Sequence, residues 1–169
     1  IKINEAHIVG LSMGAYASLI FGLKYPDMVK SLVIAGVGSG AMPKDNKSFN
    51  RMANELADVF KNEGSASAAK IIGNSGSRLQ LFKKNPRAWK EFMEHLSEHS
   101  STGSSLTMRQ YQALRPSLLD FEEEFLKMDI PTLLAVGDED ELCIEINIYL
   151  KRKIRKSGLW IYPKTGHAI

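Results

Sequence analysis

The sequence predicts an α/β fold, a parallel sheet with crossover helices and an all-helical insertion. Three observations carry that expectation. Short apolar, β-branched runs at Ala6-His7-Ile8-Val9, Val29–Val37, Pro131–Val136 and Leu159–Tyr162 read as strands buried in a parallel sheet. Helical patterns alternate with them at both ends of the chain, as parallel strands require. The middle, from about residue 41 to 128, holds no convincing strand.

Each element has a local reason. The run Ala15–Leu23 reads as a helix that stops at Tyr25-Pro26, because the residue before proline avoids the helical region. Val29–Val37 follows as a strand and ends in the flexible Gly38-Ser39-Gly40. In the middle segment, Gly73–Ser77 and Ser100–Ser105 are loops between amphipathic helices. One of these helices starts at Asn85-Pro86, an N-cap followed by proline in the first turn. It spaces Trp89, Phe92, Met93 and Leu96 as one apolar stripe. Another starts at Asp120 with Glu123 three residues on, a capping-box spacing. Cys143–Lys156 reads as the helix between the last two strands.

The densest chemistry lies at the strand ends. Gly10-Leu11-Ser12-Met13-Gly14 sits between the first strand and the first helix, where a sharp, strained turn exposes the serine hydroxyl. Side chains two positions either side of the serine would collide, so Gly10 and Gly14 read as the residues that remove them. A serine needs a base to take its proton and a carboxylate to orient that base. Gly137-Asp138-Glu139-Asp140 follows the third strand, and Thr165-Gly166-His167 follows the fourth. Open α/β sheets bind ligands at such C-terminal strand ends.

With these motifs in Ser…Asp…His order, the chain resembles the α/β-hydrolase superfamily in its lidded serine-hydrolase form. The likeness runs from that fold's fifth core strand to its last. It implies a partial α/β-hydrolase fold: core at 1–40, an inserted helical lid at 41–128, and core again at 129–169. It implies Ser12 as nucleophile, Asp140 as acid and His167 as base, with the backbone N–H of Met13 as one oxyanion donor. Family acids stand three residues after the strand-ending glycine, which favours Asp140; Asp138 is the alternative, with a turn-forming carboxylate as its plainer reading. Leu11, Trp89, Phe92 and Met93 are the pocket candidates, and Met52, Leu56 and Phe60 extend the same apolar character. Packing between lid helices explains those stripes more simply. Arg78, Lys83, Lys84 and Arg87 read as a solvated face.

The implied activity is hydrolysis of a carboxylic ester or related acyl substrate through an acyl-enzyme, with no cofactor. Carbon–carbon bond hydrolysis on the same fold comes next, then small-molecule binding without turnover. Serine at the elbow argues against the haloalkane dehalogenases and epoxide hydrolases, relatives with aspartate there. The chain departs from the family in one respect. Eleven residues precede Ser12, the first of them Ile1, whereas the family places four strands and a histidine-glycine loop ahead of the elbow. The helix expected after the histidine is missing too. We therefore expect a piece of a longer protein, weakly active or inactive alone, since losing one oxyanion donor costs about 10²–10³ in turnover. Its first strand would be an open sheet edge, available for homo-oligomer formation.

Competing patterns have plainer explanations. His95-Leu96-Ser97-Glu98-His99 matches a zinc-peptidase spacing, but its residues fall beside an apolar stripe and no third ligand is evident, so no metal is expected. Lys151-Arg152-Lys153 with Arg155-Lys156 keeps helical apolar spacing at Leu150 and Ile154, so a solvated helix back is the default. The net charge of +3 gives no reason to expect nucleic acid. No apolar run approaches the ~20 residues that span a bilayer. A single cysteine, Cys143, suits a reducing, cytoplasmic setting and is read as structural, as is His7.

Overall fold

The computed structural model describes residues 2–169, with the backbone alone of Ser77. The strands β1 (Ala6–Leu11), β2 (Val29–Ala35), β3 (Thr132–Gly137) and β4 (Ser157–Tyr162) form one parallel sheet in the order β1-β2-β3-β4. Sheet order follows chain order, so each connection is a crossover. Helix α1 (Met13–Lys24) joins β1 to β2, and α8 (Glu141–Lys153) joins β3 to β4. Between β2 and β3 come α2 (Pro43–Glu63), α3 (Ser65–Gly73), α4 (Gly76–Lys84), α5 (Pro86–Ser97), α6 (Ser101–Leu106) and a π-helical turn over Thr107–Gln112. A 3-10 turn at Leu118–Phe121 and α7 (Glu122–Lys127) complete the connection. No helix is long and apolar enough to cross a membrane among the described residues.

The chain divides into a sheet unit, residues 2–42 with 117–167 and Ile169, and a helical unit, residues 43–116 with Ala168. The sheet unit's core joins Leu32, Ile34 and Leu134 of the strands to Ala15 and Leu19 of α1 and to Ile146 and Leu150 of α8. Each of these leucine and isoleucine side chains, fully withdrawn from water, contributes roughly 1.5–3 kcal/mol. Leu118 and Phe125 are also fully buried in this core. The expected helical insertion ran to residue 128. By contacts it ends at Pro116, because those two side chains tie 117–128 to the sheet unit.

Three further expectations are corrected. The strands were expected to be buried on both faces, yet Val9 is 73% and Leu133 37% exposed. Register puts Val9, Val33 and Leu133 in one row, on the face opposite the core row Ile34 and Leu134. The capping box belongs to Ser117, not Asp120: Leu119 N–H donates to Ser117 Oγ at 3.1 Å, and Ser117 N–H to Asp120 Oδ2 at 3.0 Å. Helix α8 stops at Lys153 rather than Lys156, since Lys156 O already accepts from Thr132 N–H in the sheet ladder.

In the helical unit, Leu56, Phe60 and Ala68 form a second small core with Ile72, Leu96 and Met108 against it. Asn85 caps α5, its side chain accepting from Ala88 N–H at 3.0 Å. Ser100 caps α6 the same way through Gly103 N–H at 3.1 Å.

Candidate active site

Three loops at the C-terminal ends of β1, β3 and β4 build the site. After β1 the chain turns at Ser12 with φ 55° and ψ −112°, a left-handed geometry that costs a non-glycine residue about 1–3 kcal/mol. Two backbone bonds hold the turn: Ser12 N–H donates to Ala35 O at 2.8 Å, and Tyr16 N–H to Ser12 O at 3.0 Å. The turn is so tight that a Cβ on Gly10 would lie 2.4 Å from Gly14 O and 2.5 Å from Ser18 Oγ. At Gly14 a Cβ would meet nothing within 4 Å. The expected mutual collision is therefore one-sided: the crowding is at Gly10, pressed against the Gly14 backbone.

Ser12 is the N-cap of α1, where a serine ordinarily turns its hydroxyl onto the first-turn N–H groups. Here it makes no cap bond. Its Oγ lies 2.8 Å from His167 Nε2. Asp140 repeats the pattern: it is the N-cap of α8 without a side-chain cap, and its Oδ2 lies 2.8 Å from His167 Nδ1. A carboxylate only accepts, so Nδ1 carries the ring proton and donates it to Asp140. That leaves Nε2 of the neutral ring to accept from the serine hydroxyl. Asp140 and His167 are buried, with 2% and 5% exposure, so water does not compete for the bond between them. Each of α1 and α8 aims its positive N-terminal end at this row. Met13, first residue of α1, has an N–H without a partner inside the helix.

The other carboxylate of this loop points elsewhere. Asp138 Oδ1 accepts from Thr165 N–H at 3.0 Å. Cys143, in the first turn of α8, is a neighbour that the sequence suggested only by proximity. Its Sγ donates to Gly36 O at 3.3 Å and lies 3.7 Å from His167 Nδ1. Burial, followed by the charge of Asp140, pushes this thiol up from 9.0 to about 12, so it stays protonated and unreactive at neutral pH. Gly36 escaped the sequence reading. A Cβ there would stand 3.4 Å from the His167 ring. A glycine one residue past a strand end was its single signal.

Among the described residues one group of donors lies within reach of a single ion: Asp140, Cys143 and His167. A protonated thiol is a poor metal ligand, and the Asp140–His167 hydrogen bond already accounts for the closeness. The His95/His99 spacing loses its premise, because α5 ends at Ser97 and His99 lies beyond it. The basic cluster after Leu150 is largely paired: Lys153 with Glu122, and Arg155 and Lys156 with Asp129. His7 lies within β1, its Nδ1 2.7 Å from Ser31 Oγ.

The apolar pocket candidates fall in both units. Leu11 ends β1 and is half exposed. Trp89, Phe92 and Met93 stand on α5 in the helical unit. Trp89 Nε1 donates to Gly73 O at 2.9 Å and its ring meets Phe82 edge-on at 5.1 Å. The guanidinium of Arg78 stacks over Phe92 at 5.6 Å. Met93 Sδ occupies the space a side chain at Gly73 would need.

Residues 1–169 match the alpha/beta hydrolase fold family. A Bacillus subtilis (strain 168) protein that carries the provisional name 2-succinyl-6-hydroxy-2,4-cyclohexadiene-1-carboxylate synthase is 23% identical over 175 residues, covering 100% of this chain and 61% of its own length. A 2-hydroxy-6-oxononadienedioate/2-hydroxy-6-oxononatrienedioate hydrolase from Klebsiella pneumoniae subsp. pneumoniae is 26% identical, covering 98% of this chain and 57% of its own. Among solved structures, a thermophilic esterase from Thermogutta terrifontis aligns with a TM-score of 0.79 at 21% identity, over 97% of this chain and 58% of that one. The chain thus spans about 60% of the length of such relatives.

Proposed function

The chain belongs to the alpha/beta hydrolase fold family, and we propose that it carries the proton-relay part of a serine hydrolase that cleaves a carboxylic ester or related acyl bond. The observation that supports this most is the unbroken hydrogen-bonded row Ser12–His167–Asp140, with both bonds at 2.8 Å. In this reading His167 Nε2 takes the hydroxyl proton as Ser12 Oγ attacks a carbonyl carbon. Asp140 holds the ring tautomer and steadies the imidazolium that forms. The N–H of Met13 and the positive end of α1 receive the developing oxyanion. His167 then returns the proton to the leaving group. A water that His167 deprotonates attacks the acyl carbon, the bond to Ser12 Oγ breaks, the acid leaves and the serine regains its proton.

Carbon–carbon bond hydrolysis is the second reading, and relatives such as the Klebsiella hydrolase support it. The inserted helices are proposed as the substrate-selecting lid, on the strength of their place between β2 and β3. Trp89, Phe92 and Met93 would supply apolar wall there. Self-association through β1, at one end of the sheet order, and a cytoplasmic setting belong to the same proposal.

A fluorophosphonate probe tests the reading: it should label Ser12 and leave Ser12→Ala unlabelled. Equal labelling of the two would remove Ser12 from the chemistry. A panel of acyl esters beside a dienoic 1,5-diketo acid then separates the two reactions.

A further inference from the structure

We infer that Asp138 is a positioning residue that locks the histidine loop onto the acid loop and so holds His167 at Ser12. The inference rests on the serine-hydrolase reading of this site. β3 and β4 end side by side, with Gly137 in register with Tyr162. Beyond that point each strand leads into a loop carrying one partner of the relay, Asp140 on one and His167 on the other. Nothing in a parallel sheet obliges two such loops to keep a fixed distance once the ladder stops.

Here three bonds extend the contact past the ladder. Asp138 N–H donates to Tyr162 O at 3.0 Å, and Glu139 N–H to Thr165 O at 2.9 Å. The third is the side-chain bond, Thr165 N–H to Asp138 Oδ1 at 3.0 Å. Thr165 is therefore held by both its backbone groups. The loops approach so closely that a Cβ on Gly137 would lie 2.0 Å from Thr165 O. The residue before Thr165 is Lys164, at φ 50°. A non-glycine residue stays in that region only when its surroundings over-determine it. The Thr165 hydroxyl, donating to Pro163 O at 3.0 Å, closes the same turn. His167 follows two residues on.

The two aspartates of Gly137-Asp138-Glu139-Asp140 thus divide the work. Asp140 meets the imidazole itself, and Asp138 meets the backbone that carries the imidazole. The clamp needs an acceptor oxygen at the right place and has no need of a charge. That separates it from a role for Asp138 as the acid.

The test is the rate at which a fluorophosphonate labels Ser12 across pH, with the His167 Nδ1–H proton resonance as an independent readout. Asp138→Ala should slow labelling about tenfold, since a small misplacement of a reacting group is felt steeply. It should also broaden the Nδ1–H signal. Asp138→Asn keeps the acceptor and should stay within about twofold of the parent. Asp138→Glu keeps the charge but moves the acceptor by a methylene, and should resemble the alanine variant; it serves equally if Asp138→Ala does not fold. Asp138→Asn as slow as Asp138→Ala, or Asp138→Ala or Asp138→Glu as fast as the parent, would overturn the clamp. If Ser12→Ala is labelled like the parent, the hydrolase reading fails instead, and the Nδ1–H resonance still decides the clamp.

Discussion

Among the described residues six helix N-caps hold Ser, Asn or Asp, and those at the candidate site are used differently from those of the helical unit. In the helical unit Asn85 and Ser100 turn their side chains onto first-turn N–H groups, and Ser75 donates its hydroxyl to the neighbouring Ile72 O, so all three serve local bonds. In the sheet unit Ser117 caps its 3-10 turn, but Ser12 and Asp140 stand at equivalent positions and make no such bond. Both are turned onto His167. A good cap left uncapping forgoes about 1 kcal/mol of helix stability, and Ser12 adds backbone strain to that. Residues that forgo a local bond for a distant one mark where this fold is organised around chemistry rather than around its own stability.

The contrast is sharpest for Ser12. Under the proposed reading Ser12→Ala in the full-length protein should lower turnover by on the order of 10⁶, while in this chain it should move the unfolding free energy by no more than about 0.5 kcal/mol. Burst-phase kinetics beside urea titration would show both. A large stability loss would mean that the hydroxyl supports the fold after all.

The elbow itself separates its two glycines. Gly10→Ala drives a Cβ into the Gly14 backbone, which cannot yield as a side-chain tip would, and should cost about 3 kcal/mol. Gly14→Ala meets open space and should leave stability unchanged or slightly raised, as alanine is the better helix former. Urea midpoints of the two variants measure the difference.

Cys143 extends the contrast to pH. Its thiol is protonated in the folded state up to about 12 and ionises in the unfolded chain near 9. Between these values the unfolded state binds fewer protons, so stability falls as pH rises, by at most about 1.4 kcal/mol per unit. Tyr149, raised from 10.0 to about 12 by burial and by its bond to Glu122, and Tyr111, raised by burial, begin to contribute as pH approaches 10. The difference between the parent and Cys143→Ala in the change of urea midpoint from pH 9.0 to 10.0 therefore isolates the cysteine, and the variant should lose most of that drop.

The smallest effect lies in the helical unit. Asn85→Ala should cost about 1 kcal/mol with no change in Ser12 labelling. A thermal melt and a labelling time course check it, and a change in labelling would break the division between the two kinds of cap.

Much of this architecture was legible in one dimension. The four apolar runs, the elbow glycines, the Asn85-Pro86 start and the absence of strands in the middle are local signals, each set by backbone sterics or side-chain periodicity within a few residues. Chain order alone placed a serine, two aspartates and a histidine just beyond strand ends. Signals at the edge of a local pattern were less legible: Ser117 rather than Asp120 as the cap, and Pro116 rather than residue 128 as the end of the helical unit. In both cases the deciding partners, Asp120 Oδ2 and the buried Leu118 and Phe125, act through bonds and packing that composition does not display.

By itself, then, the sequence determined the strands, the crossover helices and the strand-end loops in which reactive groups gather, because those follow from alternation, glycine and proline. Tertiary structure alone decided which of two aspartates meets the imidazole, that Gly36 borders it, and that Thr165 is bound from across the loops. Spacing along a chain constrains neighbours within a turn or two. Ser12 and His167 are brought to 2.8 Å only by the packing of the sheet that carries them both.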